Sequence, residues 1–194
     1  MIASLSGKLE ALGSDWAIIN VGGVGFQVHL STTGVSRLGS IGSTIKVYTH
    51  LHVREDNISL FGFNTTAELE LFKSLTSVSG IGPKLALAML SAMEPDQLIM
   101  AIASGNADLL TGIPGIGKKT ASRIVLELKD KIGTGMLATP VAEIAQENAD
   151  VLAALSSLGY SASEVTRALS SLPHDASLSL EDKIKLALGY FEHK

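Results

Sequence analysis

Apolar and polar positions change rhythm at one place in this chain, near Thr65. Before it, β-branched and aromatic residues alternate or cluster in five short runs, Ile2–Leu9, Trp16–Val21, Gly25–Leu30, Thr44–Val53 and Ile58–Phe63. Gly-Ser-Asp, Gly-Gly-Val and Glu-Asp-Asn turns punctuate them, so the pattern predicts five strands and a small barrel of the oligonucleotide-binding (OB) type. From Thr65 to Lys131 the apolar residues recur every three or four positions, the period of helices that bury one stripe. Gly133–Pro140 breaks that period and reads as a linker. Three short helices are expected beyond it, at Ala149–Leu158, Ser161–Ser170 and Leu180–Phe191, with Ser161 and Ser179 as caps. Such a small bundle is marginal alone and typical of an interaction module. The fold class expected is therefore α+β and multidomain. An OB-fold barrel covers 1–63, a helix-hairpin-helix α domain 64–134, a linker 135–147 and a three-helix bundle 148–194.

Within the helical stretch a segment returns after 35 residues: Ser79-Gly-Ile-Gly-Pro-Lys84 reappears as Pro114-Gly-Ile-Gly-Lys-Lys119. The flanks repeat in register, with Leu75, Val78, Ala86, Met89 and Leu90 matched by Leu110, Ile113, Ala121, Ile124 and Val125. Duplication of a helix-hairpin-helix unit explains both. A single Gly-x-Gly between helices is most simply a tight turn. Two copies that both keep a lysine point to chemistry. Gly80, Gly82, Gly115 and Gly117 bring bare backbone to the surface, and each following helix opens with free N–H groups and a positive dipole end. Lys84, Lys118, Lys119 and Arg123 add charge close by. That combination binds phosphate, and because it touches no base edge it would hold nucleic acid without reading sequence.

A nucleotide-binding P-loop is the competing motif. Gly112–Lys118 fits its first seven positions, but Lys119 stands where a serine or threonine must bind magnesium. The segment Ala107–Thr111 before it reads as the end of a short helix, not as a buried strand, and the sister copy lacks the pattern.

The net charge of −4 is at odds with a DNA binder until it is mapped. Residues 1–63 carry four basic and four acidic groups, residues 64–135 seven of each, and residues 136–194 four and eight, so the tail holds the whole excess. A DNA-facing middle followed by an acidic segment for another partner is the expected division. The absence of cysteine suits a reducing compartment, and neither a leader-like start nor a membrane-length apolar run is present, which places the expected address in the cytoplasm.

Elsewhere the chemistry is sparse. Glu55 and Asp56 lie at a hairpin tip, where polar residues are common, and a metal site or an acid–base pair normally needs further ligands or enclosure. His50 and His52 have metal-ligand spacing on one strand face, yet such a pair without a third ligand is usually inert. His29, His174 and His193 read as structural or solvated. No catalytic or metal residues are expected.

These residues carry a resemblance over essentially the whole chain. Val21-Gly-Gly-Val-Gly-Phe26, Val53-Arg-Glu-Asp56, Leu60-Phe-Gly-Phe63, Gly82-Pro-Lys-Leu-Ala-Leu87, Pro114-Gly-Ile-Gly-Lys-Lys-Thr-Ala121 with Arg123, and Ala153-Ala-Leu-Ser-Ser-Leu-Gly-Tyr160 resemble the RuvA family of bacterial Holliday junction branch-migration subunits. The resemblance implies DNA recombination, DNA repair and the SOS response to DNA damage as its setting. It implies a homotetramer, or an octamer on DNA, around a four-way junction. Glu55 and Asp56 become an acidic pin at the crossover, and the tail engages the hexameric motor RuvB, with Leu155, Leu158 and Tyr160 as partner-facing or core positions. The RuvC resolvase is a further partner to consider. ATP and magnesium would be used by the motor, and this chain would bind no cofactor. Two departures stand out: Ser79 replaces an expected asparagine, and the linker is short.

The rival class is an enzyme, a DNA-repair glycosylase or nuclease that grips DNA through the same hairpins. A glycosylase resembles the second hairpin as far as Lys119-Thr-Ala121, but needs a catalytic aspartate downstream, and residues 131–142 hold no acid.

Overall fold

A computed structural model describes residues 1–133, 148–160, 164–165, 168–169 and 178–192. The linker 135–147 and most of the helix expected at Ser161–Ser170, including the Ser161 cap, lie outside the described residues.

All five expected strands are present: β1 (Ser4–Leu12), β2 (Trp16–Val21), β3 (Val24–His29), β4 (Thr44–Val53) and β5 (Ile58–Phe63). They close into a barrel in the order β1-β2-β3-β5-β4, with β3 and β5 parallel and every other pair antiparallel. The first strand differs from expectation, starting two residues later and running to Leu12. A register shift between Leu9 and Ala11 lets it bend from its pairing with β4 to its pairing with β2. Leu5, Leu9, Ala17, Ile19, Val28, Leu30, Val47 and Leu60 fill the interior. Thr49 is buried among them, its hydroxyl donating to the Ile2 carbonyl at 2.8 Å.

By compactness the chain divides into Met1–Met93 and Glu94–Lys194. The first unit holds the barrel, a short helix α1 (Thr32–Ser36), α2 (Thr66–Thr76) and α3 (Pro83–Ala92). The strand reading did not anticipate α1. Ser31 caps it by accepting from the Gly34 amide at 3.0 Å, a local bond hidden in a polar stretch. Phe72 of α2 packs on Phe61 and Phe63 of β5, with ring centroids 5.3 and 4.8 Å away. Glu68, also on α2, is buried. One carboxylate oxygen lies 3.3 Å from the Arg37 guanidinium, and the other accepts from the Asn64 amide at 2.8 Å. The helix that leads into the first hairpin is thereby fixed on the barrel.

The second unit contains α4 (Pro95–Ala103), α5 (Ala107–Thr111), α6 (Lys118–Gly133), α7 (Ala149–Ser157) and α8 (Leu180–Glu192). A capping box between Glu94 and Gln97 starts α4, and Leu98 to Ala103 are all buried. Ala121, Ile124, Leu128 and Ile132 form the buried stripe of α6, at the spacing the sequence predicts. Ser179 caps α8 as expected, accepting from the Asp182 amide at 3.2 Å.

Candidate nucleic-acid interface

The two hairpins are built alike. In the first, the Ile81 amide donates to the Val78 carbonyl at 3.0 Å and the Ala86 amide to the Gly82 carbonyl at 3.0 Å. In the second, Ile116 donates to Ile113 at 3.0 Å and Ala121 to Gly117 at 2.9 Å. Val78, Ile81, Ile113 and Ile116 are buried, so apolar residues before and within each turn anchor it.

The four glycines serve two purposes. Gly80 and Gly115 have φ of 89° and 90°, a left-handed conformation that glycine adopts without steric cost. Those two make the turn. Gly82 and Gly117 are outside that region, and a Cβ added to either would meet nothing within 4 Å. Among the described residues no atom crowds either position, so beyond the N-cap preference for glycine over alanine nothing there requires it. Their bareness faces outward, at the mouth of α3 and of α6.

Cationic groups collect at the same mouths. Gly82 is the N-cap of α3 and no side chain caps the helix, while Pro83 occupies the first turn. Exposed Lys84 follows in that turn, and exposed Lys118 and Lys119 are the first two residues of α6. Arg123, half-buried, is one turn further along α6. Each helix start thus combines open backbone, the positive end of the dipole and at least one lysine.

Glu55 and Asp56 sit at another kind of site. The Arg54 amide donates to the Asn57 carbonyl at 2.8 Å, closing a four-residue turn between β4 and β5. Glu55 and Asp56 are exposed at its tip.

His50 and His52 lie on one face with ring centroids 6.4 Å apart, but both are engaged otherwise. His50 sets its ring edge-on to Phe72 at 5.5 Å, and His52 Nε2 accepts from Arg54 Nε at 3.0 Å. Partial burial, aided by His52 and Lys73, holds the His50 imidazole below its ordinary pKa. Among the described residues no three potential metal ligands come together.

In the tail the three expected contact residues separate. Leu155 is fully buried, which fits the core reading of its two alternatives and not the partner-facing one. Leu158 is 61% exposed. Tyr160 is half-buried and stacks on Phe191 with centroids 4.2 Å apart. Sequence reading passes over Arg37 and Glu68, whose pairing spans 31 residues and has no local signature.

A closed OB-type barrel followed by paired Gly-Ile-Gly hairpins defines a helix-hairpin-helix protein of the nucleic-acid-binding class. Comparison with known proteins narrows the class. Family profiles match in chain order: the RuvA N terminal domain at residues 1–62, a SAM-like helix-hairpin-helix tandem at 72–130, and the RuvA C-terminal domain at 146–190. A relative from Dehalococcoides mccartyi, named Holliday junction branch migration complex subunit RuvA, is 57% identical over 100% of both chains. Relatives of the same name from Herpetosiphon aurantiacus and Chloroflexus aggregans are each 46% identical over 98% of both chains. The chain belongs to the RuvA family. No single helix among the described residues is long and apolar enough to cross a membrane.

Proposed function

We propose that this chain is a non-catalytic, structure-selective subunit that binds four-way DNA junctions and recruits a RuvB-type motor for branch migration. The observation that carries the reading is the outward bareness of Gly82 and Gly117. Two equivalent turns keep glycine where neither φ nor crowding demands it, each beside a helix start and a lysine. A sugar-phosphate chain approaching each turn is what a side chain there would obstruct.

Selectivity for a junction comes from the other sign of charge. Carboxylates at the tip of the β4–β5 hairpin repel phosphates, while the hairpin cations attract each arm further out. Four copies around a crossover would place eight such carboxylates at the centre and hold the junction open and square-planar. A second tetramer on the opposite face would make the octamer. The chain itself binds no cofactor in this reading; ATP and magnesium serve the motor, and the tail, through Leu158 and the Tyr160–Phe191 neighbourhood, engages it. A RuvC-type resolvase would act on the same open junction, and the work belongs in the cytoplasm. Homology to RuvA relatives along the whole chain favours this reading over a glycosylase.

A binding titration of a four-way junction against linear duplex, with the oligomer mass measured alongside, tests it. Preference for the junction by a tetramer or octamer is expected. Equal affinity for both would defeat the structure-selective part.

A further inference from the structure

The acidic hairpin is longer than the barrel it leaves. Along β4 the residues facing the barrel interior are Val47, Thr49, Leu51 and Val53, and opposite them on β5 stand Leu60 and then Ile58. Val47, Thr49 and Leu60 are buried and Leu51 is partly so, but the row does not turn polar where the barrel ends. Its last rung is the directly opposed pair Val53 and Ile58, 62% and 70% exposed. The rung adjoins Arg54 and Asn57, so two uncovered β-branched side chains stand immediately below Glu55 and Asp56.

Strand propensity alone does not account for that pair. Threonine serves an exposed strand end as well as valine or isoleucine, without placing apolar surface in water. The carboxylates next to the rung restrict what could cover it. A second copy seated there through the same face would bring its own Glu55 and Asp56 against these, and an acidic peptide or a phosphate backbone would be repelled equally. A neutral, flat, apolar surface is compatible, and the proposed ligand has one in the right place. In continuous duplex each base pair is covered on both faces, whereas at an open crossover the last pair of each arm is without one stacking neighbour.

Resting on the junction reading, we infer that Val53 and Ile58 form an apolar wedge that packs against the exposed base face at the crossover. The acidic tip keeps phosphates away, and the rung beneath it covers the bases so uncovered. Apolar side chains set against an opened base step are an established way for proteins to hold DNA distorted. The pin is then a two-part device, with charge at the tip and apolar surface at its base. A Val53→Thr, Ile58→Thr variant keeps branching at Cβ, and with it the strand geometry, while removing the apolar surface.

The test uses the full chain and a four-way junction carrying 2-aminopurine in the base pair next to the crossover. This base brightens when it loses stacking and is quenched when a neighbour restores it, and an aliphatic side chain quenches poorly. Saturating wild-type protein should therefore brighten it, because the crossover is held open, and should shield it from acrylamide, a collisional quencher that reaches an uncovered base. The double threonine variant keeps the acidic tip, so the base should brighten as in wild type, but acrylamide should quench it more efficiently and junction affinity should fall several-fold while duplex affinity and oligomer mass stay close to wild type. A conservative swap, Val53→Ile with Ile58→Val, should retain the shielding and the affinity. Equal shielding by the threonine variant, or no shielding by a wild type that binds the junction, overturns the wedge and leaves the junction reading standing. A fall in oligomer mass would assign the rung to a subunit contact and overturn it too. A wild type that shows no preference for the junction defeats the junction reading itself.

Discussion

Gly82 and Gly117 occupy the same place in two different hairpins: each carbonyl accepts the first helical hydrogen bond, at 3.0 and 2.9 Å, and each Cα faces open space. Their partners in the turn, Gly80 and Gly115, have the positive φ. One pair is needed by the backbone; the other leaves its helix start uncovered.

Alanine substitution separates the two. At Gly80 or Gly115 it should cost about 1–2 kcal/mol of stability, because the left-handed conformation crowds a Cβ. At Gly82 or Gly117 it restricts the unfolded chain, which stabilises, but alanine is a poor N-cap, which destabilises; the two oppose and should leave stability within about 1 kcal/mol of wild type. Junction affinity should nevertheless fall about tenfold, or 1.4 kcal/mol. Thermal melts beside binding isotherms check both halves. Unchanged affinity at Gly82 and Gly117 would mean that no ligand comes close there.

Lys118 and Lys119 open α6 from an exposed position. Replacing both by alanine should weaken binding alike for any arm sequence. It should also flatten the dependence of log affinity on log salt by about 0.9 for each phosphate on a duplex arm that is no longer neutralised. A salt titration at constant pH reads the slope, and an unaltered slope would take these lysines off the phosphates.

How much of this is legible in the sequence depends on how local each cause is. Short β-rich runs, some alternating and some clustered, give all five strands, and the repeated Gly-Ile-Gly gives both hairpins, because each is set by neighbours in the chain. Helix α1 escapes notice because five residues show no period, and its cap is one serine bond. The Arg37–Glu68 anchor is invisible for the opposite reason, since it exists only once the barrel has closed. Leu155 and Leu158 cannot be told apart by spacing, because a helix with one buried stripe offers both as candidates until the packing is known.

Those two leucines now predict opposite outcomes. Leu155→Ser should destabilise the tail module by roughly 2–5 kcal/mol, as for loss of a buried leucine side chain. Leu158→Ser should leave its melting unchanged and reduce stimulation of branch migration by a RuvB-type motor. Tail melting measured beside motor-driven branch migration decides it; full stimulation with Leu158→Ser would remove this residue from the contact.

His50 makes stability depend on pH. Its folded pKa is lowered by burial, by His52 and by Lys73, so the unfolded chain takes up the proton first. The contribution of the neutral imidazole is complete above the unfolded value of about 6.5 and is lost as pH falls from there through the folded value. The His50→Gln variant should show a shallower fall in melting temperature on acidification over that window. An identical pH profile would show that other groups govern it.

The central claim is that opposite charges at two places make one protein prefer a four-way junction, and its most direct test is the ratio of junction to duplex affinity for wild type and for Glu55→Gln with Asp56→Asn. The double variant removes two charges per subunit while nearly preserving the shape of the tip. Without repulsion at the crossover, binding to both DNAs should tighten and the ratio should fall toward one, with or without magnesium. A ratio unchanged by the double variant would contradict the account, because Glu55 and Asp56 would then be solvated turn residues and selectivity would have to arise elsewhere.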